Sequence, residues 1–201
     1  MADVIPPVEL TAERVDDVPV ITEGRVATGF PAGQAAEDGQ LVRAAAGGDS
    51  TAFTRLYERY GRMVHGLLLA RVGRDEAEDL VQDVFLTAWR RLDALRDPAA
   101  FGGWIAMIAR NRAIDFHRRT ADLVELPDNL ESPGTLAEQT DANAALAAIR
   151  ALPDTYRETL ILRLVEGLTG SEIAARTGLT PGSVRVNLHR GMRLLRDKLH
   201  R

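Results

Sequence analysis

FGGWIAMIARNRAIDFHRR, residues 101–119, is the stretch around which the rest of the chain is organised. Phe101, Trp104, Ile105, Ile108 and Ile114 recur at helical spacing, with Met107 at the margin, so one stripe can pack into a core. Arg110, Arg112, Arg118 and Arg119 are set against a single acid, Asp115. A buried helix does not need the arginines, and a solvated helix does not need Trp104. An amphipathic helix with a basic outer face fits the stretch. So does a helix laid on nucleic acid, where arginines neutralise phosphates and flat or amide side chains meet bases.

Moving outward toward the N-terminus, residues 95–100 read as a short loop with Asp97-Pro98 as its turn. Residues 75–95 read as a helix that opens on DEAEDLVQD, acid-rich as a helix N-terminus favours. Ala77, Leu80, Val81, Val84, Phe85, Ala88 and Leu92 form its buried face and leave Asp79, Gln82, Asp83 and Arg90 outward. Residues 40–72 are helical with a break at Gly47-Gly48-Asp49, after which Asp49 or Ser50 can cap. Phe53, Leu56, Tyr57, Tyr60, Val64, Leu67 and Leu68 make the following core stripe. Residues 1–39 carry eight acids, two arginines and four prolines without a sustained period, and read as a disordered acidic extension.

Toward the C-terminus, residues 120–142 hold six acids and no base, broken by Pro127, Pro133 and Gly134. Such a segment buries too little apolar surface to fold and reads as a flexible acidic linker. Residues 143–201 then form a second helical domain. Its helices are expected over 143–152, from Pro153-Asp154 with Tyr156, Leu160, Leu164 and Val165 as stripe, over 171–177, and from Pro181 onward. Gly178-Leu179-Thr180 is a tight turn, Thr180 a cap and Pro181 a first helical residue whose missing N–H costs nothing. Helix, glycine-bearing turn and basic helix form the helix-turn-helix pattern. Val184, Leu188, Met192, Leu195 and Leu199 are expected inward on the last helix. Ser183, Arg185, Val186, His189, Arg190 and Arg193 spread over the remainder, most of them near the half that enters a major groove.

The formal charge of −4 over 201 residues hides this alternation of acidic and basic segments. Cysteine is absent, which excludes disulfides and thiol chemistry. The four histidines are scattered, so neither a metal site nor any cofactor is expected. No apolar run reaches membrane-spanning length and no secretory signal is visible, so a cytoplasmic protein without membrane insertion is expected. No nucleophile–base set or phosphate-cradling loop points to an enzyme. The fold class is all-α, with no convincing period-two run.

Four motifs together carry a resemblance: GDSTAFTRLYERY, DEAEDLVQDVFLTAWRRL, FGGWIAMIARNRAIDFHRR and LPDTYRETLILRLVEGLTGSEIAARTGLTPGSVRVNLHRGMRLLRDKL. In this order and spacing they resemble a bacterial RNA polymerase sigma factor of the extracytoplasmic-function type, in the sigma-70 family. The resemblance implies two small helical domains, a region 2 bundle over 40–119 and a region 4 helix-turn-helix over 143–201. It implies a subunit that binds core RNA polymerase at its clamp helices and flap, and directs it to promoter DNA. Asp79, Gln82, Asp83 and Phe85 would dock polymerase. Arg96, Phe101, Trp104, Arg110, Asn111, Arg112, Arg118 and Arg119 would read and melt the −10 element, with Asn111 near a flipped-out base. Ser183, Arg185, Val186, His189, Arg190 and Arg193 would read the −35 element. An anti-sigma factor is the expected regulatory partner.

The sequence departs from the family pattern in the 1–39 extension, in Gln82-Asp83 for a more usual Gln-Glu, in Val186-Asn187 where Ser-Arg is frequent, and in the flexible Gly102-Gly103 before Trp104. The competing function is a stand-alone helix-turn-helix regulator, which would bind duplex DNA without polymerase and use residues 40–119 for dimerisation or sensing.

Overall fold

The computed structural model describes residues 32–123 and 138–200. Eight α-helices run in order: α1 (Ala32–Ala46), α2 (Ser50–Leu69), α3 (Arg74–Arg90), α4 (Phe101–Leu123), α5 (Glu138–Arg150), α6 (Asp154–Leu164), α7 (Gly170–Thr177) and α8 (Pro181–Leu199). Two 3-10 turns, Leu92–Ala94 and Pro98–Ala100, join α3 to α4. The all-α class holds, with no strand among the described residues.

Local signals place most of the boundaries. Gly48 turns the chain after α1 with φ of 96°, a conformation open to glycine. Asp49 then caps α2, accepting from the amides of Thr51 at 2.9 Å and Ala52 at 3.1 Å. Asp97 accepts from the Ala99 amide at 3.0 Å and shapes the turn that delivers Phe101 to the core. In the second half, Thr169 and Glu172 form a reciprocal capping box at the start of α7. Gly178 ends α7 in the left-handed region, at φ of 76°. Thr180 caps α8 through the Ser183 amide at 3.1 Å, with Pro181 as the first helical residue.

Two expectations about segments need correction. The 1–39 extension is not wholly outside the fold, because α1 begins at Ala32. Asp38, on α1, is fully buried and takes a hydrogen bond from the Tyr60 hydroxyl and an ion pair from Arg59, each at 2.5 Å. Residues 1–31 lie outside the described residues. The 120–142 linker is shorter than expected, since α4 runs on to Leu123 and α5 starts at Glu138. Its middle, 124–137, also lies outside the described residues.

The buried apolar side chains of both halves form one continuous cluster. Helix α2 is its axis: Leu56, Met63, Val64, Leu67 and Leu68 are fully buried, and α1, α3, α4 and α6 pack on it. The second half sits directly on the first at a seam between α2 and α6. They pack tightly at Gly66 of α2: a Cβ there would stand 2.8 Å from Leu162 and 2.9 Å from Glu166, both in the second half. Arg150, from α5, donates to the carbonyls of Leu69 at 3.0 Å and Val72 at 2.5 Å, which the end of α2 leaves open. Gly102 solves a similar problem between α4 and α7, for its Cβ would lie 3.0 Å from the Arg176 carbonyl. The glycine pair before Trp104 is therefore helical, with Gly102 buried.

This seam rewrites the expected stripes. In α6, Thr159, Leu160, Ile161 and Leu162 are all buried, because one side meets α8 and another meets α2. Leu164 and Val165 end up exposed. In α8 the inward residues are Val184, Asn187, Gly191 and Leu195, with Leu188 half-buried, while Met192 and Leu199 are exposed. The inward line runs through Gly191, whose missing Cβ admits Leu160 and Tyr156. Ile114 of α4, placed in the core stripe by its spacing, is 58% exposed.

Candidate polymerase and promoter interface

Three surfaces collect the candidate residues. On α3, Asp79, Gln82 and Asp83 are exposed and share one face at three- and four-residue spacing. The same face continues into Leu86, 52% exposed, and Trp89, 39% exposed. Tyr57 of α2, expected in the core, stands beside them at 44% exposure. Phe53 meets Trp89 edge-on at 4.7 Å between ring centres, and Tyr57 lies 4.6 Å from Phe85. Phe85 itself is buried and holds this aromatic group from beneath, so it offers no free face for docking. An acidic rim around exposed aromatic and aliphatic groups suits a helical protein partner. Sequence reasoning missed Leu86, Trp89 and Tyr57, although Leu86 falls four residues after Gln82 on the outward line.

The second surface is α4 and the turn before it. Arg96, Arg118 and Arg119 are exposed, and Trp104, Arg110, Asn111 and Arg112 are half-buried. Phe101 is fully buried, 5.2 Å from Tyr60 and 5.9 Å from Trp104 between ring centres. It orients Trp104 and presents no surface to DNA. Arg112 donates to the Thr87 hydroxyl at 2.8 Å, which fixes its guanidinium against α3. Arg118 pairs weakly with Asp115 at 3.3 Å on an exposed face.

Arg110 is engaged differently. Its Nε donates to Glu158 Oε1 at 3.0 Å and its Nη2 to Oε2 at 2.8 Å, a two-point fork across the seam. Arg71 closes on the same carboxylate at 2.6 Å. Burial opposes the charge on Glu158, but hydrogen bonding and attraction from Arg110, joined by Arg71, outweigh it and hold the carboxyl below its usual range. Burial also opposes the Arg110 charge, and Glu158 more than offsets it, so the guanidinium is raised.

The third surface is the outer side of α8. Ser183, Arg185, Val186, His189, Arg190 and Arg193 are all exposed there. Ser183 also shares a 2.9 Å contact with the Thr180 hydroxyl, so it is part of the cap. Arg185 and Val186 share the N-terminal half of the helix with Asn187, which is buried. The exposed arginines and imidazole above a glycine turn have the makeup of a duplex-reading helix.

A groove of about 500 Å³ joins the first surface to the seam. Tyr57, His65 and Gln82 line it from the first half and Glu166 from the second. His65 Nδ1 lies 2.6 Å from Glu166 Oε1, and this hydrogen bond is the main cause that raises the imidazole above its ordinary value. No group of histidine and carboxylate side chains among the described residues could hold a metal ion. No described helix is long and apolar enough to cross a membrane.

Comparison with known proteins matches sigma-70 region 2 to residues 56–122 and sigma-70 region 4 to residues 142–195. The RNA polymerase sigma factor CarQ of Myxococcus xanthus is 34% identical over 160 residues, spanning 76% of this chain and 91% of CarQ. The chain belongs to the sigma-70 family. It resembles the extracytoplasmic-function members within it: the sigma factor BldN of Streptomyces coelicolor is 32% identical over 170 residues and 78% of this chain. The chain spans 63% of the length of BldN. Among solved structures, CnrH in complex with the cytosolic domain of CnrY aligns at a TM-score of 0.55 and 25% identity, covering 82% of this chain and 97% of CnrH. The two regional matches leave α1 and its Asp38 outside them, while the partners of Asp38, Arg59 and Tyr60, fall inside the region 2 match.

Proposed function

We propose that the chain is a promoter-directing subunit, docking core RNA polymerase through α3 and reading promoter DNA through α4 and α8. The observation that carries this reading is the arrangement of its exposed side chains. An acidic and aromatic face lies on the helix assigned to polymerase, and cationic faces lie on the two helices assigned to DNA. Family membership over both halves supports a joint use of the two readers rather than a lone helix-turn-helix regulator.

Asp79, Gln82 and Asp83 meet the polymerase clamp helices, with Leu86, Trp89 and Tyr57 as the apolar centre of that contact. Arg96, Arg112, Arg118 and Arg119 hold phosphates of the −10 element, and Asn111 takes the edge of an unstacked base beside Trp104. Strand capture offsets an unstacking cost of a few kcal/mol per base, so melting needs no nucleotide hydrolysis. Arg185, Val186, His189, Arg190 and Arg193 read the −35 duplex. The chain acts in the cytoplasm and is restrained there by a protein partner, an anti-sigma factor; that the similar CnrH forms a complex with the cytosolic domain of CnrY supports a protein partner.

Run-off transcription with purified core polymerase on a library of genomic promoter fragments tests the reading. Selective initiation on a small set, lost in Asp79→Arg/Gln82→Ala through failed co-purification with core, is the expected result. Duplex binding by the chain alone, with no effect of polymerase, would reject it.

A further inference from the structure

We infer that Ile114 of α4 is a specificity-determining residue, which takes the C5-methyl group of a thymine in the duplex flank of the −10 element. This rests on the promoter-reading role proposed above and names a base that the role selects.

Ile114 is 58% exposed, the most open of the large apolar side chains among the described residues. A single exposed isoleucine needs no explanation of its own. Its position along the helix does. Trp104, Met107, Asn111, Ile114 and Arg118 recur at steps of three and four, so they share one side of α4. The opposite side, through Ile105, Ala109 and Ala113, is buried in the core. Trp104 and Met107 are half-buried, so the line rises out of the core at its start and is open by Ile114. Packing does not use this side chain, and a β-branched residue is a poorer helix former than alanine, leucine or arginine.

The surroundings fix the chemistry of what Ile114 meets. Between Phe101 and Arg119 four arginines stand against one acid, Asp115, whose carboxylate lies 3.3 Å from Arg118. The occupant is therefore anionic and yet carries an apolar group. Duplex DNA supplies both, phosphates on its rim and the thymine methyl in its major groove. Guanine, adenine and cytosine show donors and acceptors there, which an isoleucine would leave unpaired. The exposed Val186 of α8, beside Arg185, His189 and Arg190, repeats this mixture of a β-branched side chain and cations.

Spacing places the base pair. Ile114 lies three residues beyond Asn111, about 4.5 Å along the helix axis, and a base-pair step is about 3.4 Å. It lies on the far side of Asn111 from Trp104. The amide takes the unstacked base beside the indole, so the isoleucine meets a pair one or two steps away that is still closed.

The test uses holoenzyme assembled from core polymerase and the full chain, on a promoter identified by run-off transcription. Each thymine of the −10 element and its flanking duplex is replaced singly by deoxyuridine, which removes the methyl and nothing else. Binding is read by competition against the unmodified promoter. Wild-type holoenzyme should lose about fourfold in affinity at one thymine, the worth of one buried methyl. Ile114→Ala should bind equally well with thymine or deoxyuridine at that position, and Ile114→Val should keep part of the preference. Thermal unfolding and co-purification with core should be unchanged in both. Full methyl sensitivity in Ile114→Ala, or none at any thymine in the wild type, overturns the contact. So does loss of co-purification in Ile114→Ala, which would give this face to a protein. If the contact fails while Asn111→Ala still blocks open complexes, promoter reading by α4 stands without Ile114. Initiation on no fragment would sink both.

Discussion

Asn111 and Arg110 are neighbours on α4 with different surroundings. Arg110 is held by Glu158 across the seam, whereas Asn111 is half-buried beside Arg112, which is fixed by Thr87. Replacing Asn111 by alanine removes an amide edge without disturbing the ion pairs. Asn111→Ala should therefore impair open-complex formation, read by permanganate footprinting, and leave co-purification with core polymerase intact. Asp38 is a structural counterpart. Its side chain is fully buried and is the partner of both Arg59 and the Tyr60 hydroxyl, a hydroxyl that burial pushes upward in pKa. Asp38→Ala leaves the buried Tyr60 hydroxyl without its acceptor and Arg59 with Glu37, at 3.2 Å, as its remaining acidic partner, and should cost about 1–3 kcal/mol in urea denaturation by the usual penalty for an unsatisfied buried group. A change under about 0.5 kcal/mol, the range of neutral surface substitutions, would show that α1 is not fastened there.

At the scale of the helix, Gly191 is the most tightly packed of the described glycines in the second half. A Cβ there would lie 3.1 Å from Leu160 and 3.2 Å from Tyr156. Gly191→Ala gains helix propensity, about 1 kcal/mol, but wedges α8 from α6, an overpacking cost of roughly 1–3 kcal/mol. We expect net destabilisation in thermal unfolding and weaker −35 binding, because the reader rides on that packing. Helix order, the caps Asp49, Thr180 and Gly178, and the buried face of α3 were all legible in the sequence, because each depends on residues within a few positions. The burial pattern of α6 was not. A helix squeezed between two partners loses its single stripe, so Leu164 looks inward by spacing and is exposed in fact. Ile114 misleads for a different reason: the inward line of α4 runs through Ala109, Ala113 and the half-buried Phe116, and Ile114 faces away from it. The exposed candidate residues of α3 and α8 were legible from polarity, whereas Phe85 and Phe101 serve from below. The Arg110–Glu158 fork joins positions that no local pattern connects.

Across the whole molecule, His65 gives the seam a pH dependence. Glu166, beyond the end of α6, raises the imidazole through its hydrogen bond; burial opposes this, Glu78 of α3 adds attraction and Arg74 of α3 repels. A raised value in the folded chain means that the contact stabilises fully below the ordinary histidine value of about 6.5. That stabilisation fades as pH rises through the higher folded value. Thermal unfolding should therefore show the chain less stable above neutrality than at mildly acidic pH, and His65→Gln should flatten the trend. A steeper trend in His65→Gln would contradict this assignment. The Arg150 guanidinium offers a different readout. It donates to two carbonyls at the end of α2, and burial lowers its pKa. When the halves part, those carbonyls turn to water and the last turn of α2 loses its foreign cap. That turn should then fray, so its deuterium uptake keeps time with each separation of the halves, in unlabelled protein and with no substitution made.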